Sequence, residues 1–347
     1  MNSEKKTILV TGGMGYIGSH TAVALIQQGF DVVIVDNLSN SSSFILERIQ
    51  QISGELPKFY KVDCCAIDEL EKVFKLEKSI VACIHFAALK AVGESVEKPL
   101  LYYKNNVLSL LNIIELQLQY NVPKLVFSSS CTVYGEPDTL PVTEQSAIKP
   151  ATSPYGNTKQ IGEEILADVS KNSALQAIAL RYFNPVGAHK SALIGELPNG
   201  TPNNLVPFIT QTAIGKQAFL RVFGNDYNTS DGTCIRDYIH VEDVAAAHVA
   251  ALNRLLNIQE RPSYEFFNIG TGNGNTVLEV IHAFENATGV KLPYQIYPRR
   301  EGDIEKVFAN TDLSNNVLGW NAKLNIEQMM ASAWAWEQKL TTLNQNE

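Results

Sequence analysis

The sequence predicts an α/β fold, a doubly wound parallel sheet carrying a smaller α/β substrate-binding lobe. Three observations predict it. Short apolar runs alternate with helical patterns up to residue 185, as in a parallel sheet covered by helices on both faces. Glycines 12, 13, 15 and 18 cluster between the first run and the first helix. Beyond residue 186 the alternation breaks into loops rich in Gly, Pro and Asn, such as Gly195–Asn204 and Gly224–Gly232.

The elements follow in order. Residues 7–11 read as a buried parallel strand. After the glycines, Ile17, Ala22, Leu25 and Ile26 mark a helix that stops at Gly29, and Asp31 to Val35 is a second strand ending on Asp36. Val81–Phe86 is a strand, Leu100–Leu118 a helix, Lys124–Ser128 a strand, Tyr155–Val169 a helix and Gln176–Arg181 a strand. Helices are expected near 242–256, 276–288 and 326–340. The apolar positions of Leu100–Leu118 wrap around more than one face. That suits either burial within one domain or an outer face lent to a dimer.

Bulk properties narrow the function. The chain has 347 residues, more than one core usually serves. It is expected to divide into a cofactor-binding part, 1–185, and a lobe, 186–347, with some crossing of the chain between them. The net charge of −8 disfavours nucleic acid and anionic membranes as partners, since both reward clustered Lys and Arg. Five cysteines without a C-x-x-C pair suggest neither a disulfide framework nor a zinc site, and no metal is expected. The N-terminus has no signal-peptide core and no apolar run reaches about 18 residues, so a cytoplasmic protein is expected.

Thr11 to Gly18 is a G-x-x-G-x-x-G fingerprint. It follows a strand and opens a helix, and an acid closes the next strand, the context of a Rossmann-type dinucleotide site. Gly12, Gly15 and Gly18 let the backbone approach a pyrophosphate, while the helix start at Tyr16 and Ile17 offers free N–H groups. Asp36, with Asn37 beside it, suits a ribose diol; its charge repels a 2′-phosphate, which favours NAD over NADP. Asp63 and Cys64 fall where such folds often touch the adenine. Phe86, Ala87 and Ala88 end a strand on the cofactor side, where small residues let a nicotinamide lie close. His85 before them reads as structural.

Tyr155 and Lys159 form a Y-x-x-x-K pair on one helix face. A free phenol has a pKa of about 10, too high for a base at neutral pH, but a nearby ammonium favours the phenolate. Ser128, Ser129 and Ser130 bring a hydroxyl to the carboxyl edge of the sheet, where open α/β sheets bind ligands.

Fingerprint, serine strand end and Y-x-x-x-K together resemble the extended short-chain dehydrogenase/reductase superfamily. Longer strings are more specific: Gly12–His20, Leu89–Ser95, Ser128–Gly135, Arg181–Ala188 and Arg236–His240. They are similar to the UDP-glucose 4-epimerases, from residue 7 to about residue 337. The resemblance implies tightly held NAD, a UDP-sugar substrate and a homodimer. It implies that Tyr155 is the base, Lys159 its electrostatic partner and a ribose ligand, and Ser130 the hydroxyl that orients the sugar oxygen. Lys90, Asn105, Ser128 and Tyr182 become cofactor contacts. On the substrate side it implies Lys90, Thr132, Phe183, Asn184, Asn204, Leu205, Arg236, Arg300 and Asp303. A diphosphate wants charge-assisted donors, and arginine offers a planar fork. Cys131 departs from the pattern, standing where a small alanine is expected. Val307 matches a position that looks toward the C2 substituent of the sugar, and its small side chain would leave room for an N-acetyl group.

The implied reaction is reversible inversion at C4 of UDP-glucose and UDP-galactose through a 4-keto sugar and bound NADH, a step of galactose metabolism, extending to the N-acetylhexosamine pair. Three alternatives share the fingerprint. A sugar-nucleotide 4,6-dehydratase would place an Asp-Glu pair where Cys131 and Thr132 stand. A reductase would release its cofactor at each turnover. A non-catalytic NAD-sensing module would lack the Tyr or the Lys.

Overall fold

The fold comes from a computed structural model that describes residues 5–198, 200, 202–300 and 303–344. Glu301 and Gly302, and residues 199 and 201 of the Gly195–Asn204 loop, lie outside the described residues.

Strand β1 (Thr7–Thr11) is buried throughout and leads into helix α1 (Tyr16–Gln27), then through Gly29 in the left-handed region to β2 (Asp31–Asp36). The alternation continues with α2 (Phe44–Ser53), β3 (Lys58–Lys61), α3 (Ile67–Leu76), β4 (Ile80–His85), α4 (Val92–Glu97), α5 (Pro99–Gln119), β5 (Lys124–Ser130), α6 (Pro154–Asn172) and β6 (Gln176–Tyr182). Next come β7 (Asn184–Val186), α7 (Leu205–Ala213), β8 (Leu220–Phe223), β9 (Ile235–His240), α8 (Val241–Asn257) and β10 (Tyr264–Ile269). The chain ends with β11 (Gly274–Thr276), α9 (Val277–Thr288), β12 (Tyr294–Tyr297), β13 (Lys306–Val307) and α10 (Ile326–Asn344).

Seven parallel strands form the main sheet in the order β10-β6-β5-β4-β1-β2-β3. Strand order reverses between β1 and β4, so the loops leaving these two neighbours diverge and open a crevice at their carboxyl ends. Side chains alternate between two cores, as strand geometry requires. Ile8, Val10, Ile34 and Ile84 pack toward α1 and α8, whereas Leu9, Val33, Val35 and Cys83 pack toward α5 and α6.

Two elements from beyond residue 186 return to this sheet. Helix α8 packs on α1, and β10 pairs in parallel with β6 as an edge strand. The lobe is built around β9, which pairs with β7, β11 and β13, while β8 and β12 form a separate parallel ribbon. Its core is Val206, Ile209, Val280, Ile281, Phe284, Met329 and Met330.

Element boundaries differ from the sequence reading at two places that matter. β4 stops at His85, which leaves Phe86 in the following loop, and β5 runs on to Ser130, so all three serines belong to the strand. Helix α5 is two-faced. Tyr102, Leu110 and Ile113 are buried, while Leu100, Leu101, Leu108 and Leu111 are 42–72% exposed.

Candidate active site

The glycine loop closes against the end of β4. Gly12 sits at φ 67°, and a Cβ there would come within 2.8 Å of the Ala87 backbone nitrogen. A Cβ on Gly18 would stand 2.2 Å from the Gly12 carbonyl oxygen. No side chain caps the start of α1, so its first N–H groups are open to an anion. Asp36 ends β2 at the same crevice. Its carboxylate accepts from the backbone nitrogens of Met14 (3.1 Å) and Leu38 (2.8 Å) and from Ser41 Oγ (2.9 Å). Asp63 accepts from Cys65 N at 2.8 Å and from Asn37 Nδ2 at 3.2 Å, joining the turns after β2 and β3. The Cys64 thiol is buried, and burial pushes its pKa far up. His85 meets Thr11 Oγ1 at 2.7 Å inside the sheet and is held neutral by burial, its pKa lowered to about 3.

The reacting groups stand on two regular elements, β5 and α6. Ser153 caps α6, its side chain accepting from Gly156 N, and Pro154 opens the first turn. Tyr155 and Lys159 then point from one face toward the serine end of β5. Lys159 is 4% exposed, donates to the Ser128 carbonyl at 2.7 Å, and lies 4.9 Å from the Phe127 ring centroid and 5.9 Å from that of Tyr155. Burial lowers its pKa to about 8, opposed by Glu163. Burial raises the Tyr155 phenol well above its ordinary value, and the neighbouring Ser130 hydroxyl pulls the other way. The Y-x-x-x-K spacing alone does not reveal this desolvation. In this setting the phenol needs positive charge close by to ionise near neutral pH. Ser128 Oγ and Tyr182 OH are 2.5 Å apart, which fixes the neighbouring side chains. Thr132 Oγ1 is buried with no hydrogen-bond partner among the described residues, the state of a hydroxyl that a ligand would complete.

The other expected residues fall into three groups. Phe86 packs on His248, their ring centroids 4.6 Å apart, Ala87 and Ala88 follow in the loop after β4, and Asn105 on α5 donates to Asn106 Oδ1 at 3.0 Å. Lys90 Nζ and Asn204 Nδ2 both donate to Glu196 Oε1, at 3.0 and 2.8 Å. Leu205 is half-buried in the first turn of α7, and Asn184 opens β7. Arg236 lies 3.5 Å from Asp303, while the Arg300 guanidinium sits 3.9 Å from the centroid of the Phe223 ring. Val307, 7% exposed, pairs with Arg236 in the β13–β9 ladder and packs with Val133, Tyr134 and Phe183, with Cys131 at the margin. Glu196 and Phe223 were not foreseen. Neither sits in a periodic pattern, and both are marked only by the partners that the folded loops bring to them.

The chain matches the family model described as GDP-mannose 4,6 dehydratase over residues 9–333. It is 51% identical to UDP-glucose 4-epimerase 2 of Arabidopsis thaliana over 335 residues, 95% of each chain. Among solved structures it is similar to the UDP-glucose-4-epimerase of Stenotrophomonas maltophila with bound NAD and formylated UDP-arabinopyranose. That likeness has 47% identity and a TM-score of 0.94, and covers 97% of this chain and 99% of that one. The UDP-Glc/GlcNAc 4-epimerase of Campylobacter jejuni is 37% identical with a TM-score of 0.83, covering 96% of this chain and 99% of that one.

Proposed function

The chain belongs to the UDP-glucose 4-epimerases of the extended short-chain dehydrogenase/reductase superfamily, and we propose from that premise that it interconverts UDP-glucose and UDP-galactose by inversion at C4. The observation that carries the chemistry is the meeting of Ser130, Tyr155 and Lys159 at the carboxyl edge of the sheet.

The glycine cradle fits NAD. Gly12 and Gly18 stand where any Cβ would collide, and the uncapped start of α1 offers its N–H groups to a pyrophosphate. Asp36 would hold the ribose diol, and Lys159 would reach the nicotinamide ribose. Bound NAD supplies the hydride acceptor for C4 and, once reduced, the donor for its return.

Tyr155 takes the proton of the C4 hydroxyl and later gives it back. Lys159 supports the phenolate with its charge, and Ser130 orients the sugar oxygen. Inversion requires the sugar to present its second face, so the diphosphate must stay anchored while the hexose turns. Arg236 and Arg300 are assigned to the diphosphate. The wall formed by Phe183 and Val307 carries no charge, which suits a loosely held hexose. Elimination of water, the 4,6-dehydratase reaction, would need an acid–base pair after Ser130. Cys131 and Thr132 stand there, and burial pushes the Cys131 thiol up to about 12.

The same pocket is assigned the N-acetylhexosamine pair, because Val307 is small and a structural relative is named for both sugars. We assign a homodimer as well, joined through the exposed leucines of α5 together with Val92 and Val96 of α4, an apolar strip unusual for a solvated surface. A cytosolic location suits the five free cysteines. The test is epimerisation by the purified protein without added NAD. Conversion of UDP-galactose to UDP-glucose is expected. A stoichiometric demand for NAD(P)H with a net-reduced sugar would overturn the reading.

A further inference from the structure

Helix α6 carries a third ionisable side chain on the face that presents Tyr155 and Lys159. Glu163 follows Lys159 by four residues, as Lys159 follows Tyr155, so the three form one stripe. Each meets one of the strand-end serines. Ser130 lies beside the Tyr155 phenol and acts to lower its pKa, Lys159 donates to the Ser128 carbonyl, and Ser129 Oγ donates to Glu163 Oε1 at 2.5 Å.

Glu163 is buried and fully engaged. Arg181 Nε lies 2.9 and 3.1 Å from its two oxygens, Arg181 Nη2 2.5 Å from Oε2, and Tyr264 OH donates to Oε2 at 3.2 Å. Arg181 is itself sandwiched between the rings of Phe266 and Tyr134, 4.1 and 4.9 Å from their centroids. Its Nη1 donates to Tyr134 OH at 2.9 Å, and Tyr134 OH donates to Asn268 Oδ1 at 2.6 Å. This network ties α6 to β5, β6, β10 and the turn after β5. A buried ion pair is a poor device for stability alone, because desolvation offsets the attraction.

Its position suggests another use. Several ionisable groups surround Lys159 and its stripe. They are Tyr155 and Glu163 on α6, His85 on β4, Arg181 and Tyr182 on β6, Tyr264 on β10, Tyr102 on α5, and Cys131 and Tyr134 in the turn. Glu163 acts on Lys159 in the sense that keeps the ammonium, whereas Glu144, the other carboxyl group beside Arg181 and Tyr134, accepts from the Asn268 backbone nitrogen at 2.7 Å. We propose that Glu163, locked in place by Arg181 and Ser129, is a positioning residue that keeps Lys159 charged and directed at Tyr155.

This role rests on the epimerase reading, so wild-type interconversion of UDP-galactose and UDP-glucose is measured first. If the wild type shows none, the reading is lost, and the role with it. kcat and KM are then followed against pH for Glu163→Gln, Glu163→Asp and the double variant Glu163→Gln/Arg181→Met. Lys159 acts as the ammonium, so activity falls as pH rises through its pKa, and removing a nearby anion lowers that pKa. In Glu163→Gln the alkaline limb of kcat should move down by about one pH unit, with KM little changed. The double variant leaves no unpaired buried charge, so it answers even if Glu163→Gln alone fails to fold, and its limb should also lie below that of the wild type. Glu163→Asp keeps the charge but retracts it, so its limb should stay while kcat falls several-fold. Three results would each overturn the role and leave the epimerase reading intact. They are a wild-type limb in either folded variant that lacks the anion, an Asp limb displaced as far as that of Gln, and an Asp variant with unchanged kcat.

Discussion

The β5–α6 stripe and the region around Arg236 on β9 and Arg300 in the loop after β12 hold their polar groups in opposite ways. On the stripe, Ser130, Tyr155, Lys159 and Glu163 are 4–7% exposed, and Ser130, Lys159 and Glu163 are bonded to backbone or to a buried partner. In the second region the groups are more open and paired loosely among themselves. Lys90, 46% exposed, and Asn204 share one oxygen of Glu196, while Arg236 and Asp303 stay 3.5 Å apart. Open or long pairs of this kind exchange partners more cheaply than the buried bonds of the stripe. The difference separates two tasks. Proton transfer needs groups fixed before substrate arrives, whereas a diphosphate anchor needs donors that can leave one anion for another.

If that division is right, damage to the stripe should appear in kcat and damage to the second region in KM. The largest effect is expected for Tyr155→Phe. It removes the proton acceptor, so kcat should fall by roughly 10²–10⁴-fold while circular dichroism and bound NAD stay as in the wild type. Near-normal turnover would remove Tyr155 as the base. Gly18→Ala comes next, since its Cβ would stand 2.2 Å from the Gly12 carbonyl. Purified protein should then carry little NAD, measured by release on denaturation; wild-type content would show that the loop can yield. Arg300→Gln and Arg236→Gln each remove one charge-assisted donor, for which about 1.5–3 kcal/mol is the usual scale. KM for UDP-galactose should rise roughly tenfold to a hundredfold with kcat much less affected, and a drop confined to kcat would break the proposed division. The smallest effect is expected at Val307, which belongs to the lobe's small sheet yet packs against Phe183. Val307→Tyr should shift kcat/KM toward plain hexoses over N-acetyl sugars by about tenfold. An unchanged ratio would show that other side chains set the room at C2.

Much of the stripe was legible because its logic is local. Tyr155 and Lys159 stand one helical turn apart on any α-helix, and Glu163 lies a further turn along the same face. It was nonetheless passed over, since a glutamate on a helix usually faces water. Only the packing of α6 onto β5 and β6 turns it inward to Arg181. The glycine loop was legible for a similar reason, being a short-range turn between adjacent elements. Strand β10 was harder. It follows a helix in the half that looks like the lobe, and nothing in Tyr264–Ile269 says that it rejoins the main sheet beside β6.

The sequence by itself determined the alternating elements, the glycine turn between the first strand and the first helix, and the placing of a tyrosine and a lysine on one helix face. Each depends on spacing along one strand, one turn or one helix, where backbone geometry fixes what faces what. The tertiary structure alone decided that Ser129 and Arg181 clasp Glu163, that Lys90 finds Glu196 across 106 positions, and that Arg300 lies on Phe223. Those contacts join elements far apart in sequence. They exist only because sheet order and loop closure bring them together, and no local periodicity encodes that.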